Sequence, residues 1–195
     1  MNNKDFESFL LSKSGQFQDF VHRQLPVKIG VIAESFFKNN FNLQGFLSGG
    51  LRPWLPAKRL SSGAKDAPNN RPTLLSSNDH MCKSIHHITG DASVTVVNNV
   101  PYAAIHNEGG VVHPHPTVTP KMRKMAWARF FAAGGGKGKE APPEAAKWKA
   151  LALTKKTKLS PNINIPRRQF MGDSPELRIL IQQTIKNGLK NILNK

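Results

Sequence analysis

The chain has little of several things that many functional classes require. Of its 195 residues one is a cysteine, Cys82, which excludes a disulfide framework and a cysteine-rich zinc module. No apolar run approaches the roughly 20 residues that a membrane-spanning helix needs, so no membrane partner is expected. The first residues, Met1-Asn2-Asn3-Lys4-Asp5, lack the basic-then-apolar layout of a signal peptide. The expectation is a protein made and kept in a cytoplasm until it is assembled. Acid is scarce too: 12 Asp and Glu stand against 28 Lys and Arg, a formal net charge of +16.

That charge is unevenly placed. Between Lys121 and Arg168 there are thirteen Lys or Arg and two acids, Glu140 and Glu144, a net of +11. Such a stretch attracts polyanions or an acidic protein surface, and Lys155, Lys156, Lys158, Arg167 and Arg168 are suited to phosphates. The aromatic interleaving of single-strand binders is missing, as is any helix-turn-helix, zinc-finger or RNA-binding signature. A solvated basic segment that orders against a partner is the simpler reading, with a nucleic-acid-binding protein as the alternative.

Catalytic sets are missing as well. His86 and His87 are adjacent and would face opposite sides of a strand. His113 and His115 share a face but have no third ligand nearby, so no metal or other cofactor is expected. His86, His87, Asn98, His106 and Asn107 supply the letters of a His-Asn-His nuclease without its acidic ligands. Gly134 to Glu140 imitates a phosphate loop but places Glu140 where Ser or Thr must follow the lysine.

The residues from 4 to 41 read as helical, with Phe6, Phe9, Leu10, Phe17, Phe20 and Val21 at three-to-four spacing and a break at Ser14-Gly15. Pro26 suits the restart of a second helix, whose stripe is Ile29, Ile32, Ala33, Phe36, Phe37 and Phe41. From Gly45 to Pro72 glycines, prolines and the Ser61-Ser62-Gly63 and Asn69-Asn70 turns predict a loop, pinned to the domain by Trp54. Ser76 to Lys83 suits one or two helical turns. Ile85 to Thr89 and Ala92 to Val97 predict a hairpin around Gly90-Asp91, with glycine at the first position of a type II′ turn. Val111 to Val118 suits an edge segment because of Pro114 and Pro116. Thr119-Pro120 starts a helix, with Met122, Met125, Ala126, Phe130 and Ala133 on one stripe and Gly134 to Gly136 as its stop. Gly134 to Pro143 reads as a flexible linker, and Trp148 to Leu153 as a strand. Asp173-Ser174-Pro175 opens an amphipathic terminal helix with Leu177, Ile181, Ile185, Leu189 and Ile192 inside. The fold class expected is α+β: one domain over 1–195, a small, mostly antiparallel sheet packed by N-terminal and C-terminal helices. Residues 112–165 form its basic, helix-containing insertion, with the glycine-rich linker at 134–143.

Two stretches carry the most information. The first is Val100-Pro101-Tyr102-Ala103-Ala104-Ile105-His106-Asn107-Glu108-Gly109-Gly110, a proline-started turn of helix closed by glycines. The second is Ile165-Pro166-Arg167-Arg168-Gln169-Phe170-Met171-Gly172, a Pro-Arg-Arg loop leading into an aromatic anchor. In order and spacing they resemble the signature of the phage virion-morphogenesis and tail-completion proteins, and the resemblance covers most of the chain. Family members often have an aromatic where this chain has Glu108, and the segment between the motifs is expanded here.

The resemblance implies a non-catalytic structural protein of the virion, in the tail or neck. It would act in tail completion or head–tail joining as a subunit of a homo-oligomeric ring. Its partners would be tail-tube and head-connector proteins, with DNA close by. The physical reading assigns Tyr102, His106, Gly109, Gly110, Pro166, Arg168, Phe170 and Gly172 to the fold. Tyr102, Ala103 and Ile105 are expected to pack on the sheet, Phe170 to be buried, and Arg168 to neutralise a carboxylate or a helix C-terminus. Arg167, Lys155, Lys156 and Lys158 remain as partner-contact candidates.

Overall fold

A computed structural model describes residues 3–61, 71–136 and 141–194. The Ser62-Gly63 and Asn69-Asn70 turns, and Lys137 to Glu140 of the glycine linker, lie outside the described residues. So do the side chains of Phe6 and Phe9. The chain divides into two compact units, Met1–Gly110 with Pro166–Lys195, and Val111–Ile165.

The first unit opens with α1 (Asn3–Asp19) and α2 (Leu25–Leu43), joined through a π-helical turn at Phe20–Gln24. The expected break at Ser14-Gly15 is absent, since Gly15 lies inside α1. The irregularity falls later, and Pro26 explains it. Proline has no N–H for the carbonyl four residues back, and that carbonyl, on His22, accepts the N–H of Ala92 at 3.3 Å. The Leu25 N–H reaches back to Phe20 O, the five-residue spacing of a π turn. Phe20 is thereby turned inward and buried against α7 (Pro175–Leu193). A Cβ on Gly188 of that helix would lie 2.0 Å from the Phe20 ring.

Gly45 to Pro72 is less irregular than expected. It contains the antiparallel pair β1 (Gly45–Leu47) and β2 (Leu51–Pro53) and a 3-10 turn at Lys58–Ser61. Gly49 and Gly50, at φ 65° and 110°, make the tight reversal between the strands. One helical turn, α3 (His80–Lys83), precedes the hairpin β3 (Ile85–Gly90) and β4 (Ser93–Asn98). This hairpin is shifted one residue from its predicted turn. Gly90 pairs with Ser93, so the loop is Asp91-Ala92 with Ala92 at φ 46°. The tip is fastened to the π turn, where His22 Nδ1 and Asp91 Oδ1 stand 2.6 Å apart and His22 O takes the Ala92 N–H. These contacts compensate the left-handed conformation of a non-glycine residue. The helix α4 (Ala103–Glu108) follows. At the other end, Ser174 Oγ caps α7 by accepting the Leu177 N–H.

Phe37, Phe41, Phe46, Trp54, Met81, Ile85, Val100, Ala103, Phe170 and Leu177 belong to one buried cluster. Its aromatic centre sets Phe41 at 5.4 Å from Trp54 and 5.2 Å from Phe170, both tilted or edge-on.

In the second unit β5 (Gly110–Val112) pairs with β6 (Ile163–Ile165), and α5 (Pro120–Ala132) packs on α6 (Pro143–Leu153). The α+β class holds, with three separate two-stranded ribbons among the described residues in place of one sheet. Thr119 caps α5 through the Met122 N–H. Met125 is exposed, and the inward residues of α5 are Ala126 and Phe130. The strand expected at Trp148 to Leu153 is part of a helix. Pro143 and Glu144 favour a helix start, and burial of Ala145 and Ala152, seven residues apart, follows a helical period. Arg123 Nη1 donates to the carbonyls of Ala152 and Thr154, satisfying the end of α6.

Candidate functional site at the junction of the two motifs

The two information-rich stretches are brought into direct contact. Helix α4 ends at Gly109, whose φ of 76° suits glycine. A Cβ there would sit 2.8 Å from the backbone nitrogen of Arg167, so the close approach itself requires glycine. One residue away, the Arg168 N–H donates to His106 O at 2.8 Å. Gly110, at φ 140°, continues the reversal.

Side chains complete the joint. Asn107 Oδ1 accepts the backbone N–H groups of Phe170 and Met171 at 2.9 and 3.0 Å. Asn40, buried in α2, donates to Phe170 O at 3.0 Å and accepts the Leu47 N–H at 3.3 Å. Trp54 Nε1 donates to Gln169 O at 2.7 Å, so this indole ties the β2 segment to the second motif. The Pro166 to Gly172 backbone is held on three sides, and Phe170 is 1% exposed. Gly172, at φ 150°, lets the chain turn toward α7.

Two assignments made from the sequence change. Tyr102 does not pack on a sheet: it is 47% exposed, and Val100 and Ala103 are the buried residues of this stretch. Tyr102 stands at the N-cap of α4, and its ring meets His106, one turn along, edge-on at 6.1 Å. Among the described residues Arg168 meets neither a carboxylate nor a helix end. Its Nε donates to Leu55 O at 2.8 Å and its Nη2 to Pro56 O at 3.4 Å. It is buried, and desolvation, with Arg59 nearby, pulls its pKa below the ordinary guanidinium value. His106 is held below the usual imidazole range, first by burial and then by the charge of Arg168.

Asn40 and Asn107 are the positions that sequence reasoning missed as determinants. Asn40 falls among residues read as ending a helix, and an amide inside an apolar stripe is the one signal that pointed to a buried hydrogen-bonding role. Arg167 is exposed, and among the described residues its side chain donates to Gln169 Oε1 at 2.8 Å. Lys155, Lys156 and Lys158 are exposed in the stretch after α6, in the Val111–Ile165 unit. Pro166 is half-buried at the start of the second motif.

His87, His113 and His115 have hydrogen-bond partners distant in sequence. His87 Nδ1 lies 2.6 Å from Glu34 Oε2, while Lys38 donates to the other oxygen. Lys38 first, and then His87, lower the Glu34 pKa. His113 and His115 pair with Asn162 and Ser160 across the second unit. Among the described residues no three His, Cys, Asp or Glu are placed to hold a metal ion, and no helix is long and apolar enough to cross a membrane.

The model of the phage virion morphogenesis family matches residues 22–190, a span that includes both motifs and the core around them. The chain belongs to that family. No curated protein and no solved structure matches it.

Proposed function

From its place in the phage virion morphogenesis family, we propose that this chain is a non-catalytic structural subunit that closes into a homo-oligomeric ring. The ring serves tail completion or head–tail joining in the tail or neck of the virion. The observation that carries this reading is the family match over residues 22–190. The geometry supports it: the residues most typical of the motifs are spent on holding the chain together. Asn107, Gly109, Arg168 and Phe170 bond or pack against their own chain.

A closed ring needs two different patches that meet head to tail. Arg167 and the Lys155, Lys156 and Lys158 group are exposed and of one sign, and they suit contact with an acidic tail-tube or connector surface. Residues 112–165 act as a basic insertion dedicated to such contacts. The second reading, a nucleic-acid-binding protein, draws on those same exposed lysines in a segment of net charge +11.

Negative-stain microscopy of the purified protein, alone and with tail-tube protein, tests the proposal. Closed rings or capped tubes are expected, and changing Lys155, Lys156 and Lys158 together to Glu should abolish the capping. A monomer that ignores tail proteins, yet binds duplex DNA with an affinity falling steeply with salt, would transfer the assignment to nucleic acid. Plasmid DNA incubated with divalent metals should stay intact; cleavage lost on His106→Ala or His87→Ala would overturn the non-catalytic reading.

A further inference from the structure

Helix α1 stands almost bare on the first unit. Among its described side chains from Glu7 to Asp19, Lys13 alone is half-buried and the rest are exposed. Its apolar residues nonetheless keep a helical period: Phe6, Phe9, Leu10, Lys13 and Phe17 fall on the stripe that ends at the buried Phe20. Leu10 and Phe17 are each 49% exposed. Isolated helices of this length are marginal in water, and packing of an apolar face supplies most helical stability in proteins. Two contacts fix the direction of α1. Phe20 packs at Gly188, and Lys13 Nζ donates to Ile192 O at 2.6 Å. Helix α1 therefore runs antiparallel to α7 and passes its end at Leu193. That leaves Asn3 to Ser12 as an arm of about 15 Å.

A groove of matching chemistry lies on the same unit, out of reach of its own arm. Val31, Ile32, Phe36 and Leu180 line an open cleft of about 520 Å³ between α2 and α7. Its other lining side chains are hydroxyls and amides, and none is charged. The cleft lies toward the start of α7, whereas the arm leaves past the end of that helix and points away. We propose that α1 of one copy of this chain seats its apolar stripe in the α2–α7 groove of the next copy. Charge argues for this occupant. Residues 3–19 hold three acids and two lysines in a chain of net charge +16, so the arm is the part of an approaching copy that is repelled least. The uncharged groove has nothing to attract a polyanion. Helices that lie on lipid carry Lys and Arg opposite their apolar face, whereas Asp5 and Glu7 outnumber Lys4 on the arm. Arm and groove are different patches, so the contact is heterologous, and its repetition generates a ring or an open filament. The arm lies before residues 22–190, so the family match does not itself supply this contact. Closure into a ring rests on the assembly reading above, and the seating of the arm does not.

Sedimentation velocity of the full chain tests the contact, with Leu10→Lys in the arm and Val31→Lys in the groove. Both positions are exposed and lie outside the core cluster. The wild type should associate as its concentration rises, and each variant should stay monomeric while keeping a cooperative melt. Mixed one to one, the variants should form a dimer and go no further. The Val31→Lys chain still offers an intact arm, and the Leu10→Lys chain an intact groove, which makes one productive contact. Removal of residues 1–12 should behave as Leu10→Lys does, alone and in the mixture. A monomeric wild type, a variant that associates as the wild type does, or a mixture that stays monomeric would overturn the contact. Binding of the wild type to anionic phospholipid vesicles, lost in Leu10→Lys, would give the arm to a lipid surface and overturn the occupant. A mixture that dimerises beside a wild type forming only open filaments in negative stain would uphold the contact and remove the ring. Closed rings formed by both variants would uphold the ring and remove the contact.

Discussion

The side-chain oxygen of Asn107 accepts the backbone N–H of Phe170 at 2.9 Å across 63 positions of sequence. A second bond, from Met171 N, makes this one amide the hinge pin between the two motifs. Asn107→Ala leaves two backbone donors unsatisfied in a partly buried place, a loss of about 1–3 kcal/mol. Asn107→Asp keeps an acceptor and should retain more stability in denaturant melts than the alanine variant. Equal losses would show that the bonds to Phe170 and Met171 are not the source of the effect.

Phe170 and Arg167 separate fold from contact within three residues. Phe170 is enclosed by Phe41 and the rest of the core, and its truncation to Ala should cost about 3–5 kcal/mol. That is a large part of a single domain's margin. Arg167→Ala removes an exposed side chain whose hydrogen bond, among the described residues, is to Gln169, so its denaturation midpoint should hardly move while binding to tail-tube or connector protein weakens. A stable Phe170→Ala that fails only in assembly would reassign this ring from core to docking.

The contrast between these positions shows what the sequence made legible. Amphipathic periods and hydroxyl caps placed α2, α5 and α7, because Ser174 and Thr119 act locally on the next turn. Phe170 read as an anchor because an aromatic between a Pro-Arg-Arg loop and a helix has few other uses. The failures are non-local. The π turn at Phe20 depends on Ala92 supplying the hydrogen bond that Pro26 does not provide. Asn107 looks like any polar residue near a helix end until the second motif is laid beside it. Trp148 to Leu153 alternated like a strand, yet the packing of α5 on α6 rewards the helical period instead.

Glu176 gives a pH-dependent contact whose sign is fixed. Its carboxylate accepts the N–H groups of Gly49 and Gly50 and the Ser174 hydroxyl. Its own backbone N–H first, and then the Gly50 N–H, the Ser174 hydroxyl and the Gly49 N–H, lower its pKa from 4.5 to about 2. A depressed acid contributes stability above its unfolded pKa and loses it as pH falls. The β1–β2 turn should therefore loosen between about 4.5 and 2. In Glu176→Gln, amide exchange at Gly49 and Gly50 should be fast at neutral pH and should lack this extra acid dependence. Unchanged protection of those amides in the variant would remove Glu176 as the latch.

The last prediction concerns the basic insertion. Gly109 and Arg167 are already in backbone contact inside the first unit, so the chain ends left by removing 111–165 lie close enough for a short glycine-serine linker. The loop-closure cost of such a joint is small, and the core cluster from Ala33 to Leu177 draws none of its residues from the excised segment. The deletion variant should therefore melt cooperatively, as one unit, and keep the Asn107 to Phe170 joint, visible as slow exchange of the Phe170 and Met171 amides. It should lose assembly, because Lys155, Lys156 and Lys158 go with the segment. A variant that fails to fold would make the insertion part of the scaffold. A folded variant that still caps tail tubes would move the docking surface to the first unit, with Arg167 as the place to look for it.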